Sequence, residues 1–174
     1  MFDIIVIGAG PTGLVSALTF AKAGYDVAVI DPVDRASVAA SECSNTSRDR
    51  RTTAHLTPTV KFLEDLGIWS EISRNACPLE KLVIIEDSSQ NLFSGKQKRT
   101  VFDPSEVGNQ NFGYNVPIED NLEALTKLVQ ANKNITSVFG VGLQSVVQDD
   151  EVVSGVLTDG VTIAAKLLIG ADGN

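Results

Sequence analysis

The chain opens with an apolar run, Asp3–Ile7 (DIIVI), that breaks at a cluster of small residues, Gly8-Ala9-Gly10-Pro11-Thr12-Gly13. Beyond the break, Gly10, Gly13, Ala17 and Ala21 recur at spacings of three and four. That repeat gives one narrow face for close packing and predicts a helix running to Gly24. A second apolar run, Val27–Ile30, ends at Asp31. The order read from the pattern is strand, small-residue turn, helix, strand, acid.

From Pro32 to Thr53 hydrophobic periodicity is lost. Ser41, Ser44, Asn45, Ser47 and the cluster Arg48-Asp49-Arg50-Arg51 predict a long polar loop, of a length that usually serves a function. Thr57 is the expected N-cap of the next helix, with Pro58 at its first position and Val60, Leu63 and Leu66–Gly67 as its core face and stop. Trp69 and Ile72 continue an apolar face in a short following helix. Lys81–Glu86, Asn91–Phe93 and Thr100–Phe102 read as short strands of a second sheet, separated by turns such as Asp87-Ser88-Ser89. A polar connection from Gly108 to Gly113 follows.

Helical spacing returns over Glu119–Ala131 through Leu122, Leu125, Leu128 and Val129. Ile135–Phe139, Leu143–Gln148, Val152–Leu157 and Val161–Ala164 are then strands, with turns at Asp149-Asp150 and Asp159-Gly160. Lys166–Ile169 is a final apolar strand that delivers Gly170-Ala171-Asp172-Gly173. The predicted class is α/β: a Rossmann-like parallel sheet with an antiparallel β-meander, plus part of a further β-sheet.

The glycines of the first turn carry candidate chemistry. Gly8 permits the turn off the strand, Gly10 lets backbone approach a pyrophosphate, and Gly13 lets the helix lie close on the sheet. Pro11 and Thr12 complete the turn, and the helix start offers unpaired N–H groups and partial positive charge to phosphates. Asp31 stands where a carboxylate accepts the hydroxyls of an unmodified ribose. A glycine-rich turn that binds nothing is the structural alternative. A plain NAD-binding domain would repeat strand and helix after Ile30, whereas the hairpin-linked strands near the end favour an FAD-type domain.

Composition narrows the classes. The chain of 174 residues, 43% hydrophobic and 21% charged, suits a globular protein with a sizeable core. A net charge of −8 and no basic patch argue against nucleic acid. Cys43 and Cys77 have no metal-like spacing, so a reducing, cytoplasmic setting and incidental thiols are expected. No basic n-region precedes the first strand, and no apolar run reaches the roughly 18 residues of a membrane span. Contact with a membrane surface stays open. There is no GxSxG elbow, HExxH or Walker A loop.

Three motifs together resemble the flavin-dependent aromatic hydroxylases, most closely those of ubiquinone biosynthesis. They are the Gly8–Asp31 unit, Asp49-Arg50-Arg51-Thr52-Thr53-Ala54 with its helix ending Leu66-Gly67-Ile68-Trp69, and Leu168-Ile169-Gly170-Ala171-Asp172-Gly173. The resemblance implies bound FAD, NAD(P)H as reductant, and oxygen insertion into a phenolic, lipophilic quinone precursor, with no catalytic side chain required. It implies that Arg51 reaches the pyrophosphate, a role its forked guanidinium suits, and that Asp172 lies near the ribityl-pyrophosphate region. Arg48 and Arg50 are candidates to meet the nicotinamide dinucleotide. For these arginines a solvated loop is the alternative, and for Asp172 a simple Asp-Gly turn. Leu143 falls where relatives touch the adenine, and it reads equally as a core leucine. Ile118 stands where many relatives carry asparagine.

The same resemblance implies an FAD-binding domain over residues 1–75 and 116–174, interrupted by substrate-domain strands over 76–115. Because the family's later Gly-Asp-Ala segment is absent, the chain is expected to be a fragment of a longer protein, cytoplasmic or peripheral to an inner membrane. His55 reads as a structural donor beside a helix start. The rival readings are another FAD oxidoreductase, such as a prenyl reductase, halogenase or amine oxidase, and a non-catalytic scaffold with a degenerate nucleotide fold.

Overall fold

A computed structural model describes residues 1–34, 51–86 and 98–173. Arg48, Arg50, Cys43, the Asp87–Ser89 turn and the Asn91–Phe93 strand fall outside the described residues. The strands are β1 (Phe2–Ile7), β2 (Val27–Asp31), β3 (Thr52–Leu56), β4 (Cys77–Pro78), β5 (Leu82–Glu86) and β6 (Lys98–Phe102). After them come β7 (Gly113–Pro117), β8 (Ile135–Phe139), β9 (Leu143–Gln148), β10 (Val153–Leu157) and β11 (Thr162–Gly170). The helices are α1 (Pro11–Lys22), α2 (Thr57–Leu66), α3 (Trp69–Ile72) and α4 (Ile118–Ala131). These elements form two compact units, Met1–Arg50 with Ile118–Asn174, and Arg51–Pro117.

The first unit is built on a six-stranded sheet in the order β8-β2-β1-β11-β10-β9. The strands β8, β2, β1 and β11 run parallel, and β10 and β9 are antiparallel additions. Near-continuous apolar sequence makes β1 and β2 suited to burial on both faces, as in covered parallel sheets. Every residue of β2 is buried, and so are the last four of β1. Ile5, Ile7, Ala28 and Ile30 share one core with Val153, Leu157 and Ala165. Each large aliphatic side chain so buried contributes about 1.5–3 kcal/mol. The small-residue face of α1 buries Gly13, Ala17 and Ala21, so the helix lies close on the sheet and packs beside α4.

The α/β class with a parallel sheet and antiparallel strands is as expected, with one revision at the end of the chain. Val161–Ala164 and Lys166–Ile169 are not two strands but one, β11. Ala165 belongs to both ladders: it pairs with Val153 of β10 on one side and with Phe2 of β1 on the other. No turn residue interrupts Thr162–Gly170, so the third meander strand continues directly as the parallel strand. Lys166 Nζ donates to Asp3 Oδ1 at 2.8 Å near the start of β1. That bond holds the Asp3 carboxyl below its ordinary pKa and the Lys166 ammonium above its own.

In the second unit, β3, β7 and β4 make an antiparallel sheet in the order β3-β7-β4, and β5 and β6 pair as a separate hairpin. Strand β3 occupies Thr52–Leu56, where the sequence suggested loop and helix entry. Its exposed-intermediate alternation carries too little apolar signal to be seen locally, and pairing with β7 creates it. The N-cap of α2 is Leu56, not Thr57. The Thr57 hydroxyl donates instead to the Asn111 carbonyl at 3.4 Å. The β5–β6 hairpin exposes Leu82, Val83, Ile84, Ile85, Val101 and Phe102, apolar residues on both of its faces.

Candidate functional site

The carboxyl ends of β1 and β2 and the start of α1 form a crevice in the first unit, where open α/β sheets place their ligands. Two backbone bonds carry the ladders one residue past the strands. Gly8 N–H donates to the Ile30 carbonyl at 2.7 Å, and Ala171 N–H donates to the Ile7 carbonyl at 2.7 Å. Backbone from the end of β11 is thereby pressed against the turn. A Cβ on Gly8 would lie 2.4 Å from the Ala171 carbonyl oxygen and 2.7 Å from the Asp172 nitrogen. With φ at +104°, Gly8 is a position that only glycine fills without strain. A Cβ on Gly13 would meet the Gly8 oxygen at 1.9 Å, which is why the helix can approach the turn so closely.

Gly10 is different in kind. It caps α1 in an extended conformation, with φ −71°, and a Cβ placed on it meets none of the described residues within 4 Å. Among the described residues no side chain caps this helix end, Pro11 stands in its first turn, and the first ladder bond is Leu14 N–H to the Gly10 carbonyl at 3.0 Å. The amides at the start of α1 have no acceptor in the helix ladder, and the positive end of the helix dipole lies behind them. Thr12 is exposed at the rim. This cradle fits a pyrophosphate, which needs backbone donors and no Cβ in its path.

Asp31 closes the crevice at the tip of β2 and is only 6% exposed. Its Oδ2 accepts from Ala9 N–H at 2.6 Å, and its Oδ1 accepts from Val33 N–H at 2.8 Å. Each carboxylate oxygen has about two acceptor sites, and each takes one bond from the described residues. Its own backbone carbonyl accepts from Gly140 N–H at 2.9 Å and Val141 N–H at 3.3 Å, which ties the β8–β9 connection across the end of β2.

The backbone of Asp172 lies beside Gly8, with the residue exposed. Leu143 begins β9 and packs against the main core, its Cδ1 2.8 Å from where a Cβ on Gly155 would stand. Arg51 is an exposed residue of the second unit, directly before β3. His55, in that same unit, packs edge-on to Trp69 at 6.1 Å between ring centres, and burial holds its imidazole below the ordinary pKa. The sequence reading missed the amide of Ala9 and the Gly140-Val141-Gly142 segment as parts of the crevice. Two glycines flanking one valine between strand runs were the available signal for the segment.

No sequence among curated proteins matches the chain at a significant level. Solved structures do resemble it in fold. The p-nitrophenol 4-monooxygenase PnpA from Pseudomonas putida is 20% identical, with a TM-score of 0.74 over 98% of this chain and 40% of that one. The flavin-dependent monooxygenase PieE, solved with FAD and substrate, is 24% identical, with a TM-score of 0.72 over 99% of this chain and 30% of that one. The Diels-Alderase PyrE3 is 20% identical, with a TM-score of 0.71 over 98% of this chain and 32% of that one. The chain thus spans less than half the length of each of these structures. The sequence model of the FAD binding domain matches residues 1–174, which the glycine turn and its buried acid lead one to expect. The chain belongs to the FAD binding domain family.

Proposed function

We propose that this chain forms the FAD-holding part of a monooxygenase that hydroxylates an aromatic compound at the expense of NAD(P)H and molecular oxygen. The observation that carries the reading is the open cradle at Gly10, in front of an uncapped helix start, in a chain of the FAD binding domain family. Bound FAD supplies the redox chemistry, accepting a hydride equivalent and activating oxygen. The chain's own part is to grip and orient. The amides at the start of α1, with Gly8, Gly10, Pro11, Thr12 and Gly13 shaping the turn, hold the pyrophosphate. Asp31 accepts from the adenosine ribose through its remaining lone pairs. Arg51 supplies a second charge for the pyrophosphate, Asp172 flanks the ribityl side, and Leu143 lines the adenine end.

The three sequence motifs support a phenolic, lipophilic substrate of the quinone-precursor type, met in the cytoplasm or at an inner-membrane surface. In this reading residues 76–115 carry substrate-domain strands, consistent with the apolar β5–β6 hairpin, and 1–75 with 116–174 form the FAD-binding domain. A second reading, a different reaction on the same FAD fold, is favoured by the likeness to PyrE3, described as a Diels-Alderase.

One experiment separates them. The purified full-length protein that carries this chain is offered FAD, then NADH or NADPH, with and without a prenylated phenol under isotopically labelled oxygen. The reading requires a flavin absorbance that stays with the protein, reductant oxidation stimulated by the phenol, and one labelled oxygen atom in the product. Retained flavin with no labelled product would transfer the case to the second reading. A protein that stays colourless would remove both.

A further inference from the structure

The β8–β9 connection and the β10–β11 turn meet at one pair of residues outside the glycine turn. Gly142 N–H donates to Thr158 Oγ1 at 3.1 Å, and Thr158 N–H donates back to the Gly142 carbonyl at 2.9 Å. A Cβ on Gly142 would stand 3.5 Å from Thr158 Cγ2 and 3.5 Å from the Pro32 side chain. Gly142 is thus wedged between the meander turn and the residue that follows Asp31. Just beyond, the β9–β10 register slips between Val156, paired with Ser145, and Leu157, paired with Leu143. Such a bulge bends a strand and re-aims the residues before it, and bulges gather beside binding sites.

The consequence runs back toward the crevice. Gly140 and Val141, immediately before Gly142, are the donors to the Asp31 carbonyl. Thr158 therefore fixes Gly142, and Gly142 holds the segment that wraps the tip of β2. A dinucleotide whose pyrophosphate sits at α1 and whose ribose meets Asp31 must place its base beyond β2, on the side of β8. There the wall is Gly140–Gly142. We propose that Thr158 is a positioning residue for the adenosine half of FAD, acting through its hydroxyl on Gly142. This rests on the reading above that the crevice holds FAD.

The hydroxyl oxygen is the acting atom, so isosteric loss and conservative retention separate its role from packing. Thr158→Val keeps the shape and removes the acceptor, whereas Thr158→Ser keeps the acceptor and removes the methyl. FAD is titrated into the flavin-free full chain by quenching of flavin fluorescence, and the melting temperature is taken without flavin. Thr158→Val raises the dissociation constant about threefold to tenfold, the worth of one net hydrogen bond, with Thr158→Ser within about twofold of the parent. Because Thr158 is exposed, Thr158→Ser melts with the parent and Thr158→Val lowers the melting temperature only slightly. Unchanged affinity in Thr158→Val, equal losses in both variants, or affinity that falls only in step with melting temperature would overturn the role. A Thr158→Val chain that does not fold overturns it too, since a rim residue is not needed for folding. Failure of the parent itself to bind FAD is a different result and removes the proposed function.

Discussion

The buried amide of Ala9 donates to the carboxylate of Asp31 at 2.6 Å, joining the turn after β1 to the tip of β2. The acid expected to serve a ligand is therefore a member of the fold's own hydrogen-bond framework. Removing it strands a buried N–H, which costs about 1–3 kcal/mol. Asp31→Ala should lower the unfolding free energy of the flavin-free protein by about 2 kcal/mol in urea, and Asp31→Asn, which keeps one acceptor oxygen, by about half as much. Loss of flavin retention with unchanged stability would show that the carboxylate works for the ligand alone.

Two glycines of the same turn should fail in opposite ways. Gly8→Ala forces a Cβ against the Ala171 carbonyl at φ +104°, so it should destabilise the apo protein by about 3 kcal/mol or more. Gly10→Ala meets no atom of the described residues within 4 Å and keeps an ordinary φ, so stability should stay within about 0.5 kcal/mol. Its methyl would instead enter the cradle, and flavin affinity should fall about tenfold or more. Melting curves and flavin titration of the pair decide it.

His55 is the one histidine of the chain, and burial favours its neutral form. Its folded pKa lies below the ordinary 6.5, so the unfolded chain binds the proton more readily. The contribution to stability is then complete above pH 6.5 and is lost as pH falls from there toward the folded pKa. Urea midpoints measured across that interval should decline with acidity, and the slope should flatten in His55→Gln. An equal slope in the variant would assign the decline to carboxylates.

The β5–β6 hairpin should make the 174-residue chain self-associate. Ile84 is 52% exposed and Ile85 56%, on opposite faces of one strand. Exposed apolar surface with open strand edges is a template for pairing. The double variant Ile84→Thr/Ile85→Thr should scatter less light at rising concentration while keeping the parent melting temperature. A large drop in melting temperature would mean that these side chains are packed.

What the sequence by itself determined is local. Apolar runs set β1, β2 and β8–β10, the three-and-four spacing of small residues set α1, and Gly8, Gly10 and Gly13 set the turn between β1 and α1. Each of these depends on neighbours in the chain or on backbone geometry that one residue type imposes. Tertiary structure decided what depends on partners far along the chain. Strand β3 exists through β7, and β11 is one strand through its two different neighbours. Asp31 is committed to Ala9 and Val33 by the closing of the turn. The Gly142–Thr158 pair spans two connections that no periodicity relates, because a hydrogen bond between distant segments leaves no spacing to read.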